Sequence, residues 1–176
     1  WAYDITERKR AEQALWEKEA QLRVALDNMP GGISLGDKDR NLVLVNPQYS
    51  ELHDYPEGLL KVGGPMLDEV RFQVERGDYG PGDLDGLIEE DLAVYYQDEP
   101  ANYERTFANG RTLHFNVAPT PEGGYVNIVT DITERKRAEQ ALRESEEQVR
   151  LLLNSTAEAI YGIDMDGECT FSNPVC

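Results

Sequence analysis

Residues 131–142 read D-I-T-E-R-K-R-A-E-Q-A-L, and the same twelve residues stand at positions 4–15. The correspondence continues at the same offset of 127 residues, so that Asn46 matches Asn173, each followed by proline. Packing alone does not require an identical dodecamer twice, whereas a repeated structural unit produces one. The sequence therefore predicts a modular chain, in which one complete unit is flanked by parts of two others.

The offset of the repeat also sets the expected domain boundaries, and we interpret the chain as a piece of a longer protein. The five expected segments are the tail of a preceding unit (1–6), a first linker helix (7–28), a complete domain (29–133), a second linker helix (134–154) and the start of a second unit (155–176).

The charge balance of the chain excludes some classes of partner. With 34 acidic and 17 basic residues, the formal net charge is −17. Such a field repels phosphate backbones and anionic membrane surfaces, so we expect no nucleic-acid partner. No run of about 18 apolar residues and no secretory leader are recognisable, so we expect no direct membrane insertion and a cytoplasmic location.

Both cysteines, Cys169 and Cys176, lie in the partial second copy, and the complete unit has none. This distribution rules out a disulfide framework or a zinc cluster for the main fold. Two reduced thiols and a bridge between them both remain open.

The complete unit begins with two strands around a polar turn at residues 37–40, followed by several short helices. Gly167 of the second copy corresponds to Arg40, and we expect Asn41 to occupy the left-handed turn position in the first copy. Asp83 is expected to cap a helix whose buried stripe comprises Leu84, Leu87, Ile88, Leu92 and Tyr95.

From Tyr103 the hydrophobic pattern changes to period two, with turn residues at Asn109-Gly110 and Gly123-Gly124. Three strands in a meander are therefore expected after the helices. The order of elements predicts an α+β fold with a five-stranded antiparallel sheet, short helices on one face, and a linker helix at each end.

Heptad spacing in both linker helices predicts a two-stranded seam. Its residues fall at steps of three, four or seven and are Leu15, Leu22, Ala138, Leu142, Val149 and Leu152. A stripe this thin requires a partner helix, so we expect a homodimer through the linker helices. A solvated spacer helix packed on its own domain is the alternative.

The junction between the last strand and the second linker helix is expected to transmit displacement of the sheet. Asp131 can cap the helix while the Glu134 side chain accepts a hydrogen bond from the backbone N–H of Asp131, which together form a capping box. Thr133 is the rival cap, and Ile132 lies between the two candidates. In either arrangement the strand converts directly into a helix.

Several of these segments together resemble the PAS domain family, as found in bacterial sensory proteins. They are the first strand pair followed by Asn46-Pro47, residues 54–60, the Asn109-Gly110 hairpin, and residues 123–136, which end in D-I-T-E-R-K. The resemblance implies a sensory or dimerisation module of a two-component sensor histidine kinase or of a diguanylate cyclase or phosphodiesterase. It implies no catalysis within this chain.

A PAS domain implies a ligand pocket, and Tyr95, Tyr103 and Phe107 are the candidates for lining it. Aromatic residues at those spacings are equally typical of a plain core. The cofactor is therefore unknown. A small-molecule sensor and a ligand-free dimerisation scaffold both remain open.

Individual cofactors can be weighed from single residues. No histidine lies on the helix that follows Asp83, which disfavours haem, and we expect His53 on the surface of a helix and His114 on the polar face of a strand. The absence of cysteine from the complete domain excludes cysteine-adduct flavin chemistry, although not simple flavin binding. Asp78, Asp83 and Asp85 lack calcium-loop spacing, and no catalytic motif is present.

The partial second unit lacks the remaining three strands of a sheet. We expect residues 160–163 and 169–172 to be disordered, helical, or paired with another chain, because exposed strand edges seek partners.

Overall fold

The computed structural model describes residues 2–155 and 158–175. They form two compact units, Trp1–Thr133 and Glu134–Cys176. Among the described residues, no helix combines the length and the apolar character needed to cross a membrane.

The first unit is built on one antiparallel sheet in the order β2-β1-β5-β4-β3. Its strands are β1 (Gly32–Gly36), β2 (Leu42–Val45), β3 (Ala101–Thr106), β4 (Thr112–Pro119) and β5 (Tyr125–Asp131). Its helices are α1 (Ala2–Asp27), α2 (Pro47–Leu52), α3 (Leu67–Arg76) and α4 (Leu84–Val94). The predicted α+β class with a five-stranded antiparallel sheet is confirmed.

Helix ends in this unit follow from their capping residues. The side chain of Asp83 accepts a hydrogen bond from the Gly86 N–H (3.0 Å) and begins α4, as expected. Helix α3 ends at Gly77, whose φ of 90° is costly for any residue with a Cβ. Helix α1 begins at Ala2, before the expected start at residue 7.

The turn between β1 and β2 departs from expectation. The residue with positive φ is Arg40 (63°), the equivalent of Gly167, and not Asn41. The guanidinium of Arg40 donates to the carbonyls of Asp37, Lys38 and Gly123, and it also lies over the ring of Tyr96. These contacts offset the strain of the left-handed backbone, which sequence spacing does not reveal.

The apolar core divides into two clusters. One contains Met66, Val70, Val74, Tyr95, Val117 and Tyr125. The other contains Tyr49, Phe107, Leu113, Phe115 and Val129. The expected stripe on α4 is only partly correct, because Leu84 is exposed, Leu87, Ile88 and Leu92 are half-buried, and only Tyr95, which follows the helix, is buried.

The second unit contains α5 (Thr133–Ser155), β6 (Tyr161–Ile163) and β7 (Cys169–Ser172), and the first residue of α5 closes the first unit. Strands β6 and β7 pair with each other in an antiparallel hairpin, so the expectation of disorder or helix is wrong, while pairing with another chain stays a prediction. Local turn bonds explain the hairpin, since Asp164 Oδ1 accepts from the backbone N–H groups of Asp166 and Glu168. Cys169 is a free, exposed thiol, and Cys176 lies outside the described residues.

Candidate functional site

The interior of the first unit, between the sheet and its helices, contains an unusual number of polar side chains. Asn127 on β5 is fully buried, and its Nδ2 donates to the hydroxyls of Tyr49 (3.3 Å) and Tyr95 (3.2 Å). These two tyrosines belong to different apolar clusters. Asn127 therefore joins the two halves of the core through hydrogen bonds.

A second chain of hydrogen bonds runs through Gln73 of α3, which is also buried. Its Nε2 donates to the Tyr55 hydroxyl (2.5 Å), and its Oε1 accepts from the Tyr79 hydroxyl (2.9 Å). Burial raises the pKa of Tyr49, Tyr55 and Tyr95 far above the usual value, so these phenols remain neutral at physiological pH.

Glu69 of α3 is 3% exposed and lies between the two chains, where the nearby Tyr49 and Tyr55 side chains favour its ionised form. Burial raises the pKa of Glu69 to about 8, against the opposing effect of these two tyrosines. Its Oε2 has no hydrogen-bond partner within the described chain. We call Tyr49, Tyr55, Glu69, Gln73, Tyr79, Tyr95 and Asn127 the interior polar network.

His53 is a core residue, and the expectation of a surface position on its helix is wrong. It is 1% exposed and stacks on Tyr55 with a centroid distance of 5.0 Å. Its Nδ1 lies 2.8 Å from the carbonyl oxygen of Tyr49 and must donate, which leaves Nε2 as an acceptor without a partner among the described residues. Burial lowers the pKa of His53 to about 4, so the ring is neutral.

The sequence contained a signal for two of the residues that we did not anticipate. Glu69 and Gln73 stand three and seven positions after Met66, within the stripe that also contains Val70 and Val74. A polar residue within an apolar stripe lies on the core-facing side of its helix and needs hydrogen-bond partners when buried, so the spacing is a signal even though the residue types are not. His53 similarly follows Tyr49 by one helical turn.

The three predicted pocket residues do not lie together as one lining. Tyr95 belongs to the first cluster and Phe107 to the second. Tyr103 packs against both clusters and stacks on Phe115 at a centroid distance of 4.9 Å. The interior thus includes all three, with Tyr95 in the polar network and Phe107 in apolar surroundings.

Two surface clefts contact this interior. One, of about 700 Å³, is lined by Tyr55 together with Asp54, Phe72 and Arg76. The other, of about 590 Å³, is lined by Tyr79 and Tyr103 together with α4. The interior polar network therefore reaches a surface cleft at both Tyr55 and Tyr79.

The remaining candidates from the sequence lie at separate positions. His114 is half-buried on β4, on the face opposite Leu113 and Phe115. Asp78 pairs with Arg76, while Asp83 caps α4.

The junction between β5 and α5 is closed by side-chain hydrogen bonds. Asp131 Oδ1 accepts from both the backbone N–H and the hydroxyl of Thr133. Thr133 Oγ1 in turn accepts from the backbone N–H of Thr112 on β4 (2.9 Å), and the Ile132 N–H donates to the Thr112 carbonyl. Asp131 and Thr133 act together, and Glu134 places a negative charge in the first turn of α5.

The predicted seam residues are uncovered in this single chain. Leu15, Leu22, Leu142, Val149 and Leu152 are each more than half exposed, and Ala138 is also exposed.

A comparison with protein families places this fold. The model of the family described as "PAS fold" matches residues 26–140, which is more than half of the chain. The chain belongs to the PAS fold family. The family resemblance inferred from the sequence is thereby confirmed, and the matched range contains the sheet, the interior polar network and the start of α5.

This PAS domain has curated relatives in bacteria. Sporulation kinase E of Bacillus subtilis is 26% identical over 97% of the chain, and the Non-motile and phage-resistance protein of Caulobacter vibrioides is 26% identical over 85%. The chain spans only 21% and 16% of the lengths of these two proteins.

Solved structures of PAS domains are also similar. The PAS domain of an HTR-like protein from Haloarcula marismortui is 21% identical, with a TM-score of 0.48 over 70% of this chain and 99% of that domain. The PAS domain of BvgS from Bordetella pertussis is 20% identical, with a TM-score of 0.49 over 75% and 98%.

Proposed function

We propose that this PAS domain is a signal-relay module in the cytoplasmic part of a multidomain bacterial signalling protein, namely a sensor histidine kinase. Its sequence similarity to Sporulation kinase E supports the class of parent protein. The sensor module of a diguanylate cyclase or phosphodiesterase is the alternative. Any catalysis would reside elsewhere in the parent protein.

The observation that carries this proposal is the direct conversion of β5 into α5. Thr133 forms hydrogen bonds both to Asp131, the last residue of β5, and to Thr112 of the neighbouring strand β4. A shift of β4 against β5 must therefore displace the first turn of α5. Such a displacement can bias two packings of a helical dimer, which is the output that we propose.

The proposed dimer forms through the seam of the linker helices. The exposed leucines supply its apolar contacts, while Ala138 and Ser145 leave gaps that weaken it. A weak seam suits a helix pair that must change register or rotate.

One experiment with two variants tests the dimer and the relay separately. Leu142→Glu should raise the dissociation constant of the dimer roughly 100-fold, as measured by sedimentation equilibrium, because a leucine is lost from each helix. Gln140→Glu, which adds the same charge on the outer face of the helix, is its matched control. Asp131→Ala combined with Thr133→Val should leave the dimer intact.

The junction variant should nevertheless abolish the response of the full-length protein. We expect the autophosphorylation of wild type to vary by about 5- to 150-fold between growth conditions. The autophosphorylation of the junction variant should not vary. Thr130→Val, at an exposed position of the same strand, should retain that variation. A junction variant that responds like wild type would refute the relay.

A second candidate function, ligand sensing, is favoured by the unpaired acceptors of the interior. His53 Nε2 and Asn127 Oδ1 accept no hydrogen bond within the described chain, although both side chains are buried. An unpaired buried acceptor costs about 1–3 kcal/mol, which a guest molecule with hydrogen-bond donors would recover. We propose a small neutral ligand that carries at least two N–H or O–H donors.

Native mass spectrometry of the protein purified from its own host tests this candidate. We expect an additional small mass that is released on denaturation and is lost in Asn127→Leu. His114→Leu, on the other face of the sheet, should keep the additional mass. A wild-type protein without any retained molecule would instead favour the ligand-free dimerisation scaffold.

A further inference from the structure

Asn46 is the point at which the end of α1, the first hairpin and the start of α2 meet. The side chain is 2% exposed. Its Oδ1 accepts from the backbone N–H groups of Ile33 (2.8 Å) and Tyr49 (3.1 Å). Its Nδ2 donates to the carbonyls of Leu26 (3.0 Å) and Gly31 (2.9 Å). One amide therefore makes four hydrogen bonds to four separate places in the backbone.

Two of these bonds cap helices at opposite ends. The bond from the Tyr49 N–H, which also donates to the backbone carbonyl of Asn46 (3.2 Å), caps the start of α2, where Asn46 is the N-cap. The bond to Leu26 adds a second donor to a carbonyl in the last turn of α1, which also accepts from the Met29 N–H (3.3 Å). Gln48 adds a similar bond to the carbonyl of Asp27 (2.6 Å). The end of α1 is thus held by side chains that follow the hairpin.

The backbone segments around Asn46 are closely packed. A Cβ on Gly32 would lie 2.8 Å from the Cα of Tyr49, and one on Gly31 would lie 2.9 Å from the carbonyl oxygen of Val129. The start of β1 is therefore in close contact with both α2 and β5. A displacement of the last turn of α1 would act directly on the sheet.

The second unit repeats the same arrangement at the offset of the sequence repeat. Asn173 Oδ1 accepts from the Ile160 N–H (2.9 Å), and its Nδ2 donates to the carbonyls of Leu153 (3.1 Å) and Glu158 (2.8 Å). These partners are the equivalents of Ile33, Leu26 and Gly31. Asn173 is 4% exposed, although the unit has only two strands. The contact between helix and hairpin therefore forms without the rest of a domain.

We infer that Asn46, and Asn173 in the next unit, is the positioning residue that fixes each incoming linker helix to the sheet it precedes. Together with the cap at Asp131 and Thr133, this makes α5 a helix with a side-chain cap from β5 at its start and one from the next hairpin at its end. The role in signalling rests on the proposed relay function, but the fixation itself does not.

Asn46→Asp separates the two roles of the side chain. A carboxylate still accepts from Ile33 and Tyr49, and Asp is as good an N-cap as Asn. It cannot donate to Leu26 or Gly31, and it places negative charge against their carbonyls. Asn116→Asp, the same change at an exposed position of β4, is the matched control.

Hydrogen exchange of the full chain, followed by mass spectrometry, provides the test. In Asn46→Asp we expect exchange in residues 24–31 to rise about tenfold, while exchange in β4 and β5 stays within twofold of wild type. Unchanged exchange at the end of α1, or a uniform rise throughout the domain, would overturn the inference. Neither result depends on the output of the parent protein, so failure here is distinct from failure of the relay.

Asn173→Asp gives a second test should Asn46→Asp prevent folding. The residue lies in the second unit, so the hydrogen bonds of the first remain in place. We expect exchange in residues 151–155 to rise by a similar factor. Unchanged exchange there would count equally against the inference.

Discussion

Replacing Glu69 with Gln is expected to abolish the loss of stability above pH 6.5 that we predict for the wild-type domain. The carboxyl group is 3% exposed, and burial raises its pKa from 4.5 to about 8. The folded state then holds a proton that the unfolded state has released. Stability must therefore fall as pH rises between 4.5 and 8, by about 1.4 kcal/mol per pH unit.

His53 has the opposite effect at lower pH. Burial lowers its pKa from 6.5 to about 4, so the unfolded state binds the extra proton and stability rises with pH in that interval. The effects of Glu69 and His53 cancel between pH 4.5 and 6.5. Above pH 6.5 only Glu69 remains, and the two groups together predict a wild-type loss of about 2 kcal/mol by pH 8.

Urea denaturation of both proteins across this range measures the effect. The difference in free energy of unfolding between Glu69→Gln and wild type should widen by about 5 kcal/mol from pH 4.5 to 8. All other titrating groups are present in both proteins, so their contributions cancel in the difference between the two free energies of unfolding. Glu75→Gln, an exposed position on the same helix, should show no such trend. A difference that stays constant with pH would mean that Glu69 is ionised throughout in the folded domain.

The features that were predictable from the sequence are those that local chemistry decides. Asn109-Gly110 and Gly123-Gly124 specify hairpins, Asp83 specifies the start of a helix, and these together determine the element order. The strand-to-helix junction at Asp131 was predictable for the same reason. The α+β class follows from that order without knowledge of any long-range contact.

The interior polar network was not predictable in this way, because it depends on which distant side chains meet. Glu69 acquires its environment from Tyr49 and Tyr55, which lie on other segments of the chain. A glutamate on a helix is ordinarily solvated, so its residue type gave no indication of burial. The bond between Asn46 and Leu26 is likewise visible only after the hairpin has folded back on the helix.

Asp91→Ala is expected to destabilise the domain by about 3 kcal/mol, because it leaves the guanidinium of Arg105 without its partner. Asp91 Oδ1 accepts from Arg105 Nη2 at 2.7 Å, with side-chain exposures of 3% and 21%. The guanidinium lies 4.0 Å from the centroid of the Tyr79 ring, so it cannot turn fully into solvent without losing that contact. Without Asp91 the cation stays partly buried and unpaired.

A double-mutant cycle with Arg105→Met separates this cost from the loss of packing. The double variant should recover about 2 kcal/mol relative to the sum of the single changes, because Met fills the space without a charge. The surface pair Arg8 and Glu12, with side-chain exposures of 79% and 62%, should show a coupling below about 0.5 kcal/mol. Equal couplings for both pairs would contradict the buried character of Asp91.

The two stability predictions are linked through the interior. The negative charge of Asp91 is one of the causes that raise the pKa of Glu69, after burial itself. Removing Asp91 should therefore lower that pKa and reduce the loss of stability between pH 6.5 and 8. The effect requires Asp91 and Glu69 to interact across the interior without a direct hydrogen bond. A dependence of stability on pH between 6.5 and 8 that is the same in Asp91→Ala as in wild type would show that Asp91 does not contribute to the raised pKa of Glu69.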